Sequence, residues 1–356
     1  MVKVTIIGAG PSGSYAALLL AKAGFSVDVF EDHASIGMPV QCTGVVTQNI
    51  TKLVKLPKPC VANSIDEVFV KSARHQALFR LRTPEIILRR DAFDKYLARL
   101  AKNEGARFRL GHRYADGLIH GGKKSSKPEG ILIGADGPLS AVAKHVFRQG
   151  NRCLVGAQVR AKLAADHPHR YTVFLGKRCG LFAWMVPESK TMARIGVMAE
   201  NKSHSLLDSL LRQEFPDAEV MEKQGGLIPL HRSGVKTQIG HTYLVGDAAA
   251  MVKASTGGGI ITGMGSAALA SKAIIEKRSY PLLWRRHLGL QLWAHTRVQR
   301  AMSRFLEQDF DRLVQLAAKP RVRSIVEKSD RDNAFSALLG IIAAEPGFLT
   351  FLPKAW

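Results

Sequence analysis

Cysteine is scarce in this chain. Only Cys42, Cys60, Cys153 and Cys179 occur among 356 residues. They are widely scattered and none forms a Cys-x-x-Cys pair, which argues against a zinc site. In a reducing compartment the same scatter argues against disulfides. Long apolar runs are missing too. No stretch reaches eighteen apolar residues, and the nearest, 334–353, is broken by Glu345-Pro346, so no transmembrane helix is expected. The N-terminus runs directly into a strand with no basic segment and apolar run before it. That pattern predicts no signal peptide and a cytoplasmic protein. Acidic residues are few: 29 Asp and Glu stand against 51 Lys and Arg, a net charge of +22. Such an excess favours a polyanionic partner. Helix-turn-helix, RNA-recognition and zinc-finger patterns are absent, so nucleic acid is not expected.

What is present is enough apolar residue, 46% of the chain, to build a large core as one elaborate domain or two interleaved ones. Residues 3–7 (KVTII) are rich in β-formers. A glycine-rich turn follows, then a helical pattern ending at Gly24, then a second strand, SVDVF, closed by Glu31; this is a βαβ start. Residues 89–106 form an amphipathic helix with Phe93, Leu97 and Leu100 on its apolar face and Gly105 as its stop. Residues 120–130 (HGGKKSSKPEG) read as a solvated hairpin tip, and GILIGADG (130–137) as a buried strand ending in a turn. Residues 150–235 alternate apolar and polar in short runs, predicting an antiparallel sheet with one helix near 203–214. From 260 to 319 the pattern is helical, and residues 277–331 carry thirteen Lys and Arg against five Asp and Glu.

Gly8-x-Gly10-x-x-Gly13 lies between the first strand and its helix. The first glycine makes the tight turn, the second lets the backbone approach a pyrophosphate, and the third lets helix and strand pack closely. The helix N-terminus adds N–H donors and a positive dipole end. Glu31, at the end of the second strand, is placed to accept from ribose hydroxyls. The fingerprint alone does not choose between NAD and FAD.

Two later motifs bear on that choice. GADG (134–137) and VGDAAAMVKASTGGGI (245–260) resemble the pattern of FAD-dependent reductases and hydroxylases of the glutathione-reductase-like superfamily. The likeness implies FAD, with Ser12, Asp136, Asp247, Gly258, Gly259 and Ile260 joining Gly8, Gly10, Gly13 and Glu31 around it. Backbone N–H groups of the glycine run would stabilise negative charge on a reduced ring. Arg90 matches the superfamily arginine found before the second helix, near the FAD. The stretch IGMPVQCTGVVT (36–47), together with TGGGI, resembles the geranylgeranyl reductase family, especially the archaeal enzymes that saturate isoprenoid chains of membrane lipids. That resemblance places Cys42, Thr43 and Val45 at the flavin. It also matches FAWMVP (182–187) to the family pattern Tyr/Phe-x-Trp-x-Phe-Pro, which implies a substrate role for Phe182, Trp184 and Pro187; Val186 stands where Phe is usual. Phe182 and Trp184 share a strand face, and an apolar wall suits a polyprenyl chain.

The implied organisation is an α/β fold. A Rossmann-type FAD-binding domain of the glutathione-reductase-like, hydroxylase-like kind (1–59, 85–149 and 236–276) is interleaved with an antiparallel β-sheet substrate domain (60–84 and 150–235). A helical C-terminal region (277–356) follows. The implied reaction is saturation of geranylgeranyl C=C bonds, which needs a hydride and a proton. Cys42 is either the proton donor or relay, or a packing residue beside the ring. The implied electron donor is NAD(P)H or a protein such as ferredoxin, since no second GxGxxG is present. The basic surface predicts peripheral contact with an anionic membrane, with Arg297, Arg300 and Arg304 on one helix face. The tail EPGFLTFLPKAW either dips into that interface or caps the fold. Competing readings are an FAD-dependent monooxygenase or halogenase, a reductase of a quinone's isoprenoid tail, and a flavin-free lipid escort protein.

Overall fold

The computed structural model describes residues 1–163 and 167–356. Residues 164–166, inside the stretch expected to form the antiparallel sheet, lie outside the described residues. The chain folds as two compact units. One comprises Met1–Val40, Arg89–Cys153 and Ile228–Trp293, the other Gln41–Leu88, Leu154–Leu227 and Ala294–Trp356.

The first unit is built on a six-stranded sheet in the order 238–239, 242–244, 131–134, 3–7, 26–31, 107–110. Its strands pair in parallel except 238–239, which runs antiparallel to 242–244. Parallel sheets are covered on both faces and need continuous apolar strands; Val4, Ile6, Val27, Val29 and Ile133 are accordingly fully buried. The helix Pro11–Lys22 begins with proline in its first turn, where the missing N–H costs nothing, and ends before Gly24 in the left-handed region. The predicted helix at 89–106 spans Arg90–Asn103, with Phe93 and Leu97 fully buried. The 120–130 segment is more than a hairpin tip: Lys124–Ser126 pairs with Leu118–Gly121, the middle strand of a small three-stranded sheet.

The chain leaves the strand Lys3–Ile7 for Ser26–Glu31 on one side, while Ile131–Gly134 flanks it on the other. The strand order therefore reverses at the carboxyl end of Lys3–Ile7, the place where open α/β sheets bind ligands. Gly8 occupies that point.

The second unit contains an eight-stranded sheet in the order 219–229, 153–162, 192–199, 182–187, 170–174, 61–71, 76–88, 45–46. Strand 170–174 pairs in parallel with 61–71, whereas the 153–162, 192–199, 182–187 and 170–174 run is antiparallel. The helix Ser203–Glu214, where a helix was expected, packs Leu207 and Leu210 against Ala157, Val159, Ala183, Ile195 and Val197. By alternation the neighbouring residues of the same strands, among them Phe182, Trp184, Arg194 and Gly196, face the other way. A second core joins Ile65, Phe79, Ile87, Tyr171 and Val186 to Phe305, Phe310, Val314, Phe351 and Ala355.

That core decides the role of the tail. Phe351 packs 4.9 Å from Phe305, centroid to centroid, and Lys354 pairs with Asp309. The tail caps the fold. The expected arginine face is corrected at the same time. Arg304 lies beyond the end of the helix Leu290–Ser303, and it and Arg297 donate to the carbonyls of Lys354 and Ala355. Arg297 also stacks 3.8 Å over the Trp356 ring. The cations answer the carbonyl dipoles of the final helical turn.

Candidate functional site

In the first unit the glycine loop is shaped by close approach. Gly8 has a φ of +100°, and a Cβ there would stand 2.3 Å from the Ala135 carbonyl oxygen. A Cβ at Gly13 would come within 2.0 Å of the Gly8 oxygen, so only glycine lets the helix sit this close to the strand. Gly10 differs: a Cβ there meets no atom within 4 Å among the described residues. The loop is tight on the protein side and open above Gly10. Gly10 caps the helix Pro11–Lys22 without a side-chain hydrogen bond, so the first-turn N–H groups are not capped by a side chain.

Glu31 braces this loop. Its Oε2 accepts from the Ala9 N–H at 2.7 Å, and its Oε1 accepts from the His33 N–H at 3.1 Å and lies 2.5 Å from His33 Nδ1. That contact holds the His33 imidazole above its ordinary pKa. Ser12 is turned inward. Its Oγ would stand 2.4 Å from a Cβ at Gly246 and 2.6 Å from one at Gly263, so it fills the seam between the helices Pro11–Lys22 and Ile260–Ile275.

Asp247 is the distinctive group. Its carboxylate has no hydrogen-bond partner among the described residues, although its backbone carbonyl accepts from Asn151 Nδ2 at 3.0 Å. Oδ1 faces Gly259, where a Cβ would come within 3.0 Å of it. Burial raises the Asp247 carboxyl to about 6, against the opposing pull of the Arg90 guanidinium. Arg90 itself is held in a two-pronged pair with Asp94, at 2.8 and 3.1 Å. The loop before the helix Ile260–Ile275 is closed by the Lys253 N–H to the Gly258 carbonyl at 3.1 Å. Gly259 then caps that helix, again with no side-chain cap. Asp136 is hydrogen-bonded at the start of the helix Ala141–Phe147. It accepts from Ser140 Oγ and from the Ala141 and Val142 N–H groups at 2.6, 2.7 and 3.1 Å. Both of its oxygens are thus committed to starting the helix Ala141–Phe147.

These features fit a dinucleotide. Two long helices begin at glycines without side-chain caps, one beside an open glycine loop and the other beside a carboxylate with unused acceptor capacity.

In the second unit Cys42 is half-buried and its Sγ accepts from the Gly44 N–H at 3.3 Å. Its carbonyl oxygen accepts from Arg194 Nη1. Arg194 is buried, and its Nε donates to Glu188 Oε1 at 2.6 Å while Arg160 takes Glu188 Oε2 at 2.6 Å. Thr43 Oγ1 donates to Gln158 Oε1 at 2.8 Å, and Gln158 donates to Gln224 Oε1 at 2.6 Å. Val45 forms the short edge strand opposite Ile87. Arg194, Glu188, Gln158 and Gln224 were not anticipated. The available signal was a single charge, Arg194, inside the otherwise apolar strand Met192–Ala199, because a buried charge demands a partner.

Phe182 and Trp184 stand 5.6 Å apart on one face of their strand, rings tilted by 52°. Gly196, cross-strand from Trp184, makes room for the indole: a Cβ there would lie 2.4 Å from its ring. The Trp184 Nε1–H is buried with no hydrogen-bond partner among the described residues. Pro187 closes the strand and is buried, as is Val186.

The NAD(P)-binding Rossmann-like domain family matches residues 6–52. The chain is 29% identical to the digeranylgeranylglycerophospholipid reductase of Methanosarcina mazei, over 87% of each chain. It is 27% identical to that of Methanosarcina acetivorans, again over 87% of each. Among solved structures, a geranylgeranyl bacteriochlorophyll reductase-like protein from Thermoplasma acidophilum superposes with a TM-score of 0.86 at 20% identity, covering 100% of this chain and 99% of that one. A flavin-dependent brominase superposes with a TM-score of 0.73 at 16% identity, covering 98% and 99%. At such identities the structural likeness is one of fold, and it bears out the α/β architecture with its Rossmann-type domain. The resemblance to the geranylgeranyl reductase family, read first from the glycine loops and the Pro-Val-x-Cys stretch, thus holds across most of the chain.

Proposed function

We propose that this protein is an FAD-dependent reductase that saturates the C=C bonds of geranylgeranyl chains on membrane lipids or their precursors. The observation that carries the reading is the similarity, over 87% of both chains, to a reductase whose name states that class of substrate. The open loop at Gly10 and the free carboxylate of Asp247 support FAD as the cofactor.

Gly8, Gly10 and Gly13 would receive the pyrophosphate, with Glu31 exchanging its His33 contact for a ribose hydroxyl. Asp247 would accept from the ribityl chain, and Gly258, Gly259 and Ile260 would present N–H groups to the ring. Reduced flavin, when bound, supplies the hydride. The chain's own task is to orient the alkene, exclude water and supply a proton. Phe182 and Trp184 offer the apolar wall, and Cys42 Sγ is the proposed proton donor or relay. Electrons would come from NAD(P)H or ferredoxin. The net charge of +22 supports peripheral attachment to an anionic membrane, where such a substrate resides.

The test is anaerobic. Protein reconstituted with FAD and reduced with dithionite should be reoxidised by a geranylgeranyl glycerophospholipid without oxygen. Reoxidation only on admitting air would point instead to a monooxygenase or halogenase, and failure to take up FAD would remove the flavoenzyme reading.

A further inference from the structure

We propose that the helix Ala334–Ala344 is the element that seats this protein on an anionic lipid surface. The assignment rests on the membrane attachment proposed above, and does not depend on the reaction.

Its sequence, AFSALLGIIAA, contains no charged residue, and none of its eleven residues is fully buried. Ser336, Leu339 and Ala343 form its exposed stripe, at helical spacings of three and four. Leu339 is 55% exposed. A helix on a water-covered surface carries charged residues on that stripe; here the stripe is uncharged, with Leu339 at its centre. The opposite side is settled. Gly340 lies against Ile325, whose Cγ2 would stand 3.6 Å from a Cβ at that position, so the helix rests on Pro320–Lys328. Next along the chain, Leu349, Leu352 and Trp356 are 46%, 43% and 65% exposed. The chain then turns by 117° into the tail, whose Phe351 stays in the core.

The charge around it selects the partner. Arg321, Arg323 and Lys328 are exposed on the supporting helix. Of the nearby acids Glu345 is paired with a cation, Lys319, while Asp332, Asp330 and Glu327 are turned to the neutral donors Thr47, Asn49 and the Arg80 N–H and keep their charge. The positive excess that favours an anionic surface is that of the whole chain, +22. An apolar helix flanked by cations matches the pairing of acyl chains and anionic head groups. Eleven residues of helix extend about 16 Å, roughly half a hydrocarbon core, so this element lies in the interface.

The test uses the full chain and vesicles of equal parts phosphatidylglycerol and phosphatidylcholine, read by co-sedimentation and by hydrogen exchange. Wild-type protein should sediment with these vesicles and not with pure phosphatidylcholine, and residues 334–344 should gain protection. Leu339→Glu, at an exposed position that leaves the fold intact, should weaken binding about tenfold. Arg321→Glu and Arg323→Glu should each weaken it about fivefold. If wild-type protein ignores the anionic vesicles, the membrane reading itself is wrong. If it binds and Leu339→Glu binds equally well, with no protection at 334–344, the helix is not the seat. Protection that rises with protein concentration in the absence of lipid would assign the face to a second copy and overturn the proposal.

Discussion

Arg194 donates from Nη1 to the carbonyl oxygen of Cys42 while its Nε is bound to Glu188, so one buried guanidinium fixes the backbone of the cysteine that the proposed chemistry depends on. Arg194→Ala would leave Glu188 with only Arg160 and free the Cys42 segment. Losing one partner of a buried pair costs about 3 kcal/mol or more, so melting must be followed alongside. The specific expectation is that Cys42 is alkylated by iodoacetamide several times faster, read by peptide mass spectrometry below the melting transition. Gln158→Leu, which removes the contacts to Thr43 and Gln224 but leaves the Cys42 carbonyl held by Arg194, should give a smaller increase. Unchanged Cys42 labelling in Arg194→Ala would show that this arginine does not hold the segment.

The glycine loop separates packing from binding. Gly13→Ala drives a Cβ to 2.0 Å from the Gly8 oxygen and should prevent folding. Gly10 has a φ of −65° and open space around it, so Gly10→Ala should melt within about two degrees of wild type yet lose FAD affinity by about tenfold or more. Retention of FAD by folded Gly10→Ala protein would place the pyrophosphate elsewhere.

Asp247 predicts a pH signature in the FAD-free protein. Burial raises its carboxyl to about 6, above the ordinary value near 3.9. The folded state then binds more protons than the unfolded state between those values, so the group's contribution to stability is present at low pH and is lost as pH rises through about 6. Asp247→Asn should therefore melt a few degrees higher than wild type at pH 7.5, with the gap closing by about pH 4. Its FAD affinity should fall. An equal gap at both pH values would show that the carboxylate carries no burial cost.

Phe182 and Trp184 should matter to the lipid more than to the cofactor. Gly196→Ala would push a methyl group against the indole at 2.4 Å and displace it. The expected outcome is a drop of about tenfold in kcat/KM for the prenyl lipid, with FAD content unchanged. Unaltered lipid kinetics in that variant would remove Trp184 from the substrate wall.

How much of this was legible in the sequence follows from what kind of constraint each residue meets. Gly8 and Gly13 answer local demands, a positive φ and a close backbone approach, and such demands appear at fixed spacing. Glu31 is fixed by the length of one βαβ unit. Asp136 was visible as part of a motif, but its work is to start the next helix, and only the hydrogen bonds reveal that. Arg194 and Cys42 are 152 residues apart; they meet through sheet pairing, which no local pattern encodes. Arg297 and Arg304 have the spacing of a charged surface face, yet they serve the carbonyls of a tail whose docking depends on Phe351 reaching the core.

The most direct measurement is the mass of the lipid after anaerobic incubation with dithionite-reduced, FAD-loaded protein and a geranylgeranyl glycerophospholipid. The account predicts a gain of two hydrogens for each double bond, together with return of the yellow oxidised flavin. A yellow protein that leaves the lipid mass unchanged would contradict it.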